Sequence, residues 1–316
     1  MDDRQAIKDL MSDPVRRTES RSAGVVGRFA PTPSGRLHAG SLLAAVGSFL
    51  SARAVGGRWL VRIEDLDPPR EVAGSAEAIL ADLQRLGLDW DGDVWRQSQR
   101  GDAYLAALNQ LRAQGLVFAC ACSRQDLAPQ SGRHSGPCVR PVGSADDHAW
   151  RLRVEAGTIT VADRFQAPYS QEMRDEVGDF VLRRRDGYWA YHLAVVVDDA
   201  EQGVTEVIRG ADLLDSTPRQ MLLQRQLDLP TPQYGHLPLL LDAQGQKLSK
   251  SAGAADLSGQ SPIEWLRSAL HWLGQPPAEG ETCSAILARA ITTYSPERIP
   301  PRPSLPCRMP SNFGRE

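Results

Sequence analysis

The sequence holds 316 residues, 41% hydrophobic and 24% charged, with a formal net charge of −3, enough apolar mass for a full core and, on length, for about two domains. Its longest apolar stretches, residues 42–50 and 193–197, fall far short of the ~20 residues a membrane helix needs, and the first residues lack the apolar core of a signal peptide, so a cytoplasmic protein without membrane contact is expected. The near-balanced charge is silent about a nucleic-acid partner, and five cysteines, an odd number, argue against a disulfide framework.

Residues 1–23 are poor in periodic apolar positions and read as a disordered extension. Residues 24–29 follow as a short buried strand, 31–35 as a turn and 37–54 as a helix rich in Leu and Ala. A second strand at 58–63 and helical spacing over 75–86 and 103–114 continue a β, α, β, α order, which indicates a parallel sheet covered by helices. From 116 to 142 the regularity stops at a cysteine-containing loop, followed by strands at 150–154 and 158–162. Residues 180–184 and 189–197 flank Asp186-Gly187, and this dipeptide predicts a β-hairpin. Thr217-Pro218-Arg219-Gln220 and Ser261-Pro262-Ile263-Glu264 each fit a capping box with Pro at the first helical position, so helices are expected to begin there. The Pro-rich stretch 295–316 reads as a disordered tail. The resulting division is 24–115 and 186–255 for two halves of a catalytic domain, 116–185 for an insertion with connecting strands, and 256–294 for short C-terminal helices.

Two segments carry phosphate chemistry. Residues 28–41 sit where a strand turns into a helix, whose first N–H groups and positive dipole end suit ATP phosphates. There His38 adds a donor, and Gly40 allows a base or ribose to approach the backbone. Taken alone, a Pro-rich turn capping an ordinary helix is an equal reading. Residues 239–251 run into a turn and then Lys247-Leu248-Ser249-Lys250-Ser251, a loop with two ammonium groups and two hydroxyls. Cations that engage a departing pyrophosphate stabilise the transition state more than the ground state.

A third cluster has soft ligands. Cys120, Cys122, His134 and Cys138 supply the four donors that a structural zinc site uses. Free thiols beside a solvated imidazole are the alternative.

Residues 31–41 resemble the HIGH signature, and 247–251 the KMSKS signature, of class I aminoacyl-tRNA synthetases. Residues 28–35 are similar to the glutamyl branch, and the likeness extends over about 25–274, including 62–67 and 209–214. It implies a Rossmann-like α/β catalytic domain that forms a glutamyl adenylate from L-glutamate and ATP with Mg. Catalytic roles are carried to His38, Lys247 and Lys250, and ATP contacts to Pro31, His38, Gly40, Ser41, Lys247, Ser249 and Lys250. Arg28, Phe29, Ala30, Pro31, Thr32, Glu64, Tyr191 and Arg209 are implied for glutamate, with Glu64 on the α-amine. Which arginine meets which carboxylate stays open, and each residue alone has an ordinary reading as a surface ion pair, a turn cap or core. Glutamate is favoured over glutamine because an arginine facing a carboxamide keeps its charge uncompensated.

The cysteine pattern resembles the zinc pattern of short glutamyl synthetase-like proteins, with His134 where a tyrosine is expected, and implies one structural zinc per chain. The short stretch after Ser251 leaves no room for an anticodon-binding region, and that economy is similar to the glutamyl-Q tRNA(Asp) synthetases. Such a protein, expected to be a monomer, transfers glutamate to queuosine at the wobble position of tRNA(Asp), where Arg183, Arg184 and Arg185 would meet phosphates or simply form a solvated hairpin face. A truncated glutamyl-tRNA synthetase charging the 3′ end, and a non-catalytic tRNA-binding paralogue, are the alternatives.

Overall fold

A computed structural model describes residues 24–140, 142, 148–242, 244–246, 248 and 261–307. β1 (Val26–Phe29), buried throughout, leads through a Pro-rich loop into α1 (Ala39–Arg53). β2 (Arg58–Ile63) returns parallel to β1 with Arg28 opposite Leu60. Gly27 makes this crossover tight, since a Cβ there would stand 3.2 Å from the Ala52 methyl. Leu42, Leu43, Ala45, Val46, Phe49, Leu50 and Ala52 of α1 are all buried, as befits a helix apolar nearly all round.

After α2 (Ser75–Arg85), β3 (Trp95–Arg96) extends the sheet parallel to β2. α3 (Gly101–Ala113) then enters an irregular region: β4 (Val117–Cys120), the single-turn α4 (Arg124–Leu127), β5 (Ala149–Leu152), β6 (Thr158–Val161), β7 (Tyr169–Glu172) and β8 (Phe180–Arg183). Here β4, β5 and β8 form an antiparallel sheet and β6 pairs antiparallel with β7. The parallel pattern resumes with α5 (Tyr191–Glu201), β9 (Glu206–Gly210), α6 (Thr217–Gln226) and β10 (Gln233–Leu237), β9 and β10 being parallel with Arg209 opposite His236. β11 (Leu239–Leu241), α7 (Pro262–Trp272), α8 (Cys283–Thr293) and β12 (Ser304–Pro306) complete the chain.

The two parallel ribbons meet where Thr205 N–H donates to the Val26 carbonyl at 3.0 Å and the Thr205 hydroxyl accepts from Val26 N–H at 2.9 Å. The chain thus leaves β1 on one side toward β2 and comes back on the other as β9. A sheet whose strand order reverses in this way opens a crevice at the carboxyl ends of the strands flanking the reversal. Among the described residues no helix is long and apolar enough to cross a membrane.

Three expectations are corrected. The turn at Asp186-Gly187 exists, with Gly187 at φ +90°, but its second arm ends at the single bridge of Arg183 with Trp189, and residues from Tyr191 onward are helical. Leu193, Ala194, Val195 and Val196 are buried against Leu108, Leu152 and Leu182, and burial on several sides outweighs the β-propensity of the valines. Helices do start at Thr217 and Pro262, yet neither Thr217 nor Ser261 caps with its side chain; the Thr217 hydroxyl accepts instead from Arg209 at 2.8 Å. Finally, residues 304–306 of the expected disordered tail form a strand. Leu240 faces Leu305 in the parallel pair of β11 with β12, and Pro306, which lacks an N–H, is tolerated because this is an edge. The extensions at 1–23 and 308–316 lie outside the described residues.

Candidate active site

The crevice is a cavity of about 1760 Å³. Arg28 and Phe29 at the end of β1, Ala30, Pro31 and Thr32 in the loop after it, Glu64 after β2, Tyr191 opening α5 and Arg209 on β9 all line it, as do His38, Gly40 and Ser41 at the start of α1. The sequence reading is therefore brought together in one place for every one of these residues. Lys247, Ser249 and Lys250 lie outside the described residues. Leu248, between them, lines the same cavity, held by its N–H on the Leu240 carbonyl at 2.8 Å.

Beneath the floor runs a buried chain of charge. Arg28 Nε donates to both oxygens of Asp199, at 3.2 and 3.4 Å, and Asp199 Oδ1 pairs at 2.8 Å with Arg62, whose side chain is wholly buried. Arg62 also donates to Gln202 at 2.6 Å and stands 3.5 Å from Glu64. Burial works against the Asp199 carboxylate, but Arg28 and Arg62 prevail and hold it below its ordinary range. With Nε committed, Arg28 keeps the four N–H groups of its two terminal nitrogens for the cavity, a fork suited to a carboxylate. Glu64 fares differently. Burial pushes its carboxyl up to about 7 although Arg62 and Arg28 pull it down.

Arg209 is clamped as firmly. It donates to Tyr191 Oη at 3.2 Å, to the Leu213 carbonyl at 3.2 Å, to Thr217 Oγ1 and to His236 Nε2 at 3.1 Å. Because the Tyr191 hydroxyl accepts this bond, its own proton remains to be donated. His192 beside it is pushed down to about 3, by burial first and by Arg219 and Arg209 after, and so lines the cavity as a neutral ring.

His38 is the N-cap of α1. Its Nδ1 accepts from Gly40 N–H at 3.1 Å and Ser41 N–H at 3.4 Å, while its own N–H donates to Ser41 Oγ at 2.9 Å. This corrects the expectation of unpaired N–H groups at that helix end, for two of them are already capped. An accepting Nδ1 requires the proton on Nε2, so the imidazole itself becomes the donor. Gly40 is needed for the ring rather than for a nucleotide base alone: a Cβ there would sit 3.1 Å from His38 Cε1.

The four soft ligands also converge. The donor atoms of Cys120, Cys122, His134 and Cys138 lie within 4.8 Å of one another, and His134 Nε2 is 3.5 Å from Cys138 Sγ. Ligands at zinc distances in a tetrahedron are separated by about 3.3–3.8 Å, so the set fits a tetrahedral cation. Burial, then Cys120 and Cys122, push the Cys138 thiol up to about 12, a crowding that a cation reverses by binding thiolates. Asp179 completes the arrangement. Its Oδ2 accepts from His134 Nδ1–H at 2.8 Å and its Oδ1 accepts from Val154 N–H at 2.8 Å, which leaves the Nε2 lone pair facing the thiols. Gly178 lets this happen, since a Cβ there would lie 2.8 Å from the His134 carbonyl oxygen at φ +69°. Asp179, Asp199 and His236 escaped the sequence reading. The only sequence signal was Asp198-Asp199 closing an apolar run, an unusual place for two carboxylates.

Residues 24–258 match the family model described as tRNA synthetases class I (E and Q), catalytic domain. The chain is 52% identical over 292 residues to the glutamyl-Q tRNA(Asp) synthetase of Pseudomonas fluorescens, covering 92% of this chain and 98% of that protein. The glutamyl-Q tRNA(Asp) synthetase of Chromobacterium violaceum is 49% identical, over 88% of this chain and 96% of that one. Among solved structures, a glutamate tRNA ligase from Elizabethkingia meningosepticum in complex with its amino acid superimposes with a TM-score of 0.76 at 23% identity, covering 90% of this chain and 67% of that one. This last likeness concerns the fold.

A cationic ligand group placed against Glu64 requires its carboxylate. Because that carboxyl titrates at about 7, the charged fraction falls as pH drops through 7, and affinity for an amino acid docked there is expected to weaken by up to about tenfold per pH unit below it. Calorimetric titration from pH 6 to 8.5 measures this, and Glu64→Gln should bind weakly with no such slope; a pH-independent wild-type affinity contradicts the placement.

Proposed function

We infer the function from the family: the chain belongs to the glutamyl-Q tRNA(Asp) synthetases, within the class I family of glutamate and glutamine catalytic domains. It is a ligase that activates L-glutamate with ATP and transfers the glutamyl group to queuosine in tRNA(Asp). The observation that carries this reading is the convergence of two anchored guanidinium groups and one carboxylate in a single cavity beside an imidazole whose proton is on Nε2. Two carboxylates and one ammonium, the charges of glutamate, are complementary to that set.

In this reading Arg28 and Arg209 take the carboxylates, Glu64 the α-amine, and Tyr191 donates its hydroxyl, with Phe29, Ala30, Pro31 and Thr32 shaping the wall. The α-carboxylate attacks the α-phosphate of Mg-bound ATP and pyrophosphate leaves. His38 Nε2, with Lys247, Ser249 and Lys250 of the second motif, meets the charge that builds on the leaving phosphates, beside the backbone of Pro31, Gly40 and Ser41. In the second step a hydroxyl of the queuosine cyclopentenediol attacks the adenylate carbonyl and AMP leaves; a vicinal diol resembles the ribose hydroxyls of a terminal adenosine. Arg70, Arg124, Arg151, Arg184 and Arg185 line the same cavity and supply positive charge for an RNA backbone. ATP and tRNA are cytoplasmic substrates, and we place the protein there, as a monomer.

Residues 116–185 serve as the insertion between the catalytic halves 24–115 and 186–255. Cys120, Cys122, His134 and Cys138 hold one structural zinc in it, and the zinc cross-links the loop. Cys122 and Arg124 also line the cavity, so the metal shapes its wall without taking part in the chemistry.

Three outcomes follow. Lys250→Ala should lower glutamate-dependent ATP–pyrophosphate exchange by roughly 10²–10³, the usual loss for one transition-state donor; unchanged exchange removes the lysine from the mechanism. Purified protein should contain about one zinc per chain by elemental analysis, and Cys138→Ser should lose it; a metal-free protein from zinc-replete cells rules the site out. Radioactive glutamate should label tRNA(Asp) only when queuosine is present, and periodate oxidation of the diol should abolish the label. Label on the 3′ adenosine of tRNA(Glu) would favour the truncated-synthetase reading instead.

A further inference from the structure

Arg209 is aimed from behind. A guanidinium has five N–H groups, and four of them are taken by the protein: Nε by His236, both of Nη2 by Leu213 and Thr217, and one of Nη1 by Tyr191. One N–H, on Nη1, remains for a ligand. The guanidinium also lies over the Tyr234 ring at 5.3 Å, which fixes its plane but not its rotation within that plane. The bonds of Nη1, Nη2 and Nε fix the rotation together, and the one from Nε to His236 is the one whose acceptor depends on a tautomer.

That bond exists in only one tautomer. His236 Nε2 must accept, so the proton must be on Nδ1, and Nδ1 faces Asp163 Oδ2 at 2.5 Å. Asp163 cannot turn away, because its Oδ1 accepts from the N–H groups of Phe165 and Gln166, both at 2.9 Å, and of His236 at 3.1 Å. Both side chains are fully buried and neither lines the cavity. If Asp163 became a donor, His236 would carry its proton on Nε2, and two N–H groups would oppose each other 3.1 Å apart.

We propose that Asp163 and His236 are positioning residues for amino-acid selection: Asp163 sets the His236 tautomer, and the His236 lone pair aims the one remaining Arg209 N–H at a substrate carboxylate. Glutamate as the substrate rests on the functional reading above; the tautomer rests on the geometry alone. A carboxylate meets this N–H with an oxygen in either flip of the group, whereas the amide of glutamine meets it in only one.

Asp163→Asn keeps the volume and the Oδ1 acceptor but presents an N–H to His236 Nδ1, forcing the wrong tautomer, as the equivalent change does behind a catalytic histidine. His236→Met leaves the Arg209 Nε–H without a partner, while His236→Gln can return an acceptor oxygen near the place of Nε2. In ATP–pyrophosphate exchange, D163N and H236M should raise KM for glutamate at least about tenfold, the scale of one charge-assisted hydrogen bond. KM for ATP and the melting temperature should stay near wild type, and preference over glutamine should narrow. H236Q should recover most of the affinity lost in H236M. Long-range ¹⁵N–¹H spectra should show His236 protonated on Nδ1 in the wild type and on Nε2 in D163N. Unchanged KM for glutamate in D163N, an equal rise in both KM values with a lower melting temperature, H236Q as impaired as H236M, or an Nε2–H tautomer in the wild type each overturns the proposal. Absent wild-type exchange defeats the functional reading, and the tautomer spectra then decide the pairing by themselves.

Discussion

Everything in the cavity depends on the ion pair between Arg28 and Asp199, continued to Arg62. Burying such charges is expensive, and removing one partner of a buried pair typically costs about 3–5 kcal/mol. Three separate elements meet here: β1 contributes Arg28, β2 contributes Arg62, and α5 contributes Asp199. Their side chains are at most 6% exposed, so none can relax into water if the others move. The pair therefore registers α5 against the first two strands, and α5 carries Tyr191 at its other end. Asp198 on the next position extends the same network outward, accepting from Gln97 and Tyr104 at 2.8 Å and from Arg100 at 2.6 Å.

The same design recurs at three side chains that line the cavity. Arg28 is held through Nε by Asp199, Arg209 through Nε by His236, and His38 through Nδ1 by the start of α1. In each case the scaffold fixes the inner donor or acceptor, and for Arg28 and Arg209 it leaves outer N–H groups to the cavity. Groups oriented before the ligand arrives need no reorganisation when charge develops, which is where electrostatic catalysis gains most. Glu64 is the exception that fits. It is buried among cations yet kept near its titration point, so an arriving ammonium supplies the missing stabilisation of its charge.

How much of this was legible in the sequence follows from the range of each interaction. The strand, turn and helix around residues 26–53 could be read because local spacing carries them, whereas Glu64, Tyr191 and Arg209 were implied only by the resemblance to the glutamyl synthetases. Residues 189–197 could not: three consecutive valines favour a strand in isolation, and only the packing of Leu193 and Val196 against other elements makes a helix of them. Thr217 looked like a cap because a cap is a local pattern, whereas its actual partner, Arg209, comes from the strand β9. Asp163 is separated from His236 by 73 residues, and Asp179 from His134 by 45. No periodicity links such pairs; they are products of the fold.

The antiparallel insertion shows why these distant pairs matter. A parallel α/β layer offers a crevice at its switch point but only two strand ends and a helix end to furnish it. The insertion supplies what the layer lacks. Its β4, β5 and β8 bring Cys122, Ala149, Arg151, Phe180 and Val181 to the wall, and the loop after β6 brings Asp163 behind β10. A loop of this kind would be free to drift, since α4 is a single turn and the sheet beside it has three short strands. Two anchors oppose that drift. Asp179 ties β8 to the cysteine loop through His134, and Asp163 ties the β6 connection to His236. Each anchor is a carboxylate facing a histidine, one beside the cysteine thiols and one behind Arg209. The first anchor steadies the insertion from within and the second fastens it to the parallel layer, each where a histidine nitrogen has to be presented as a lone pair.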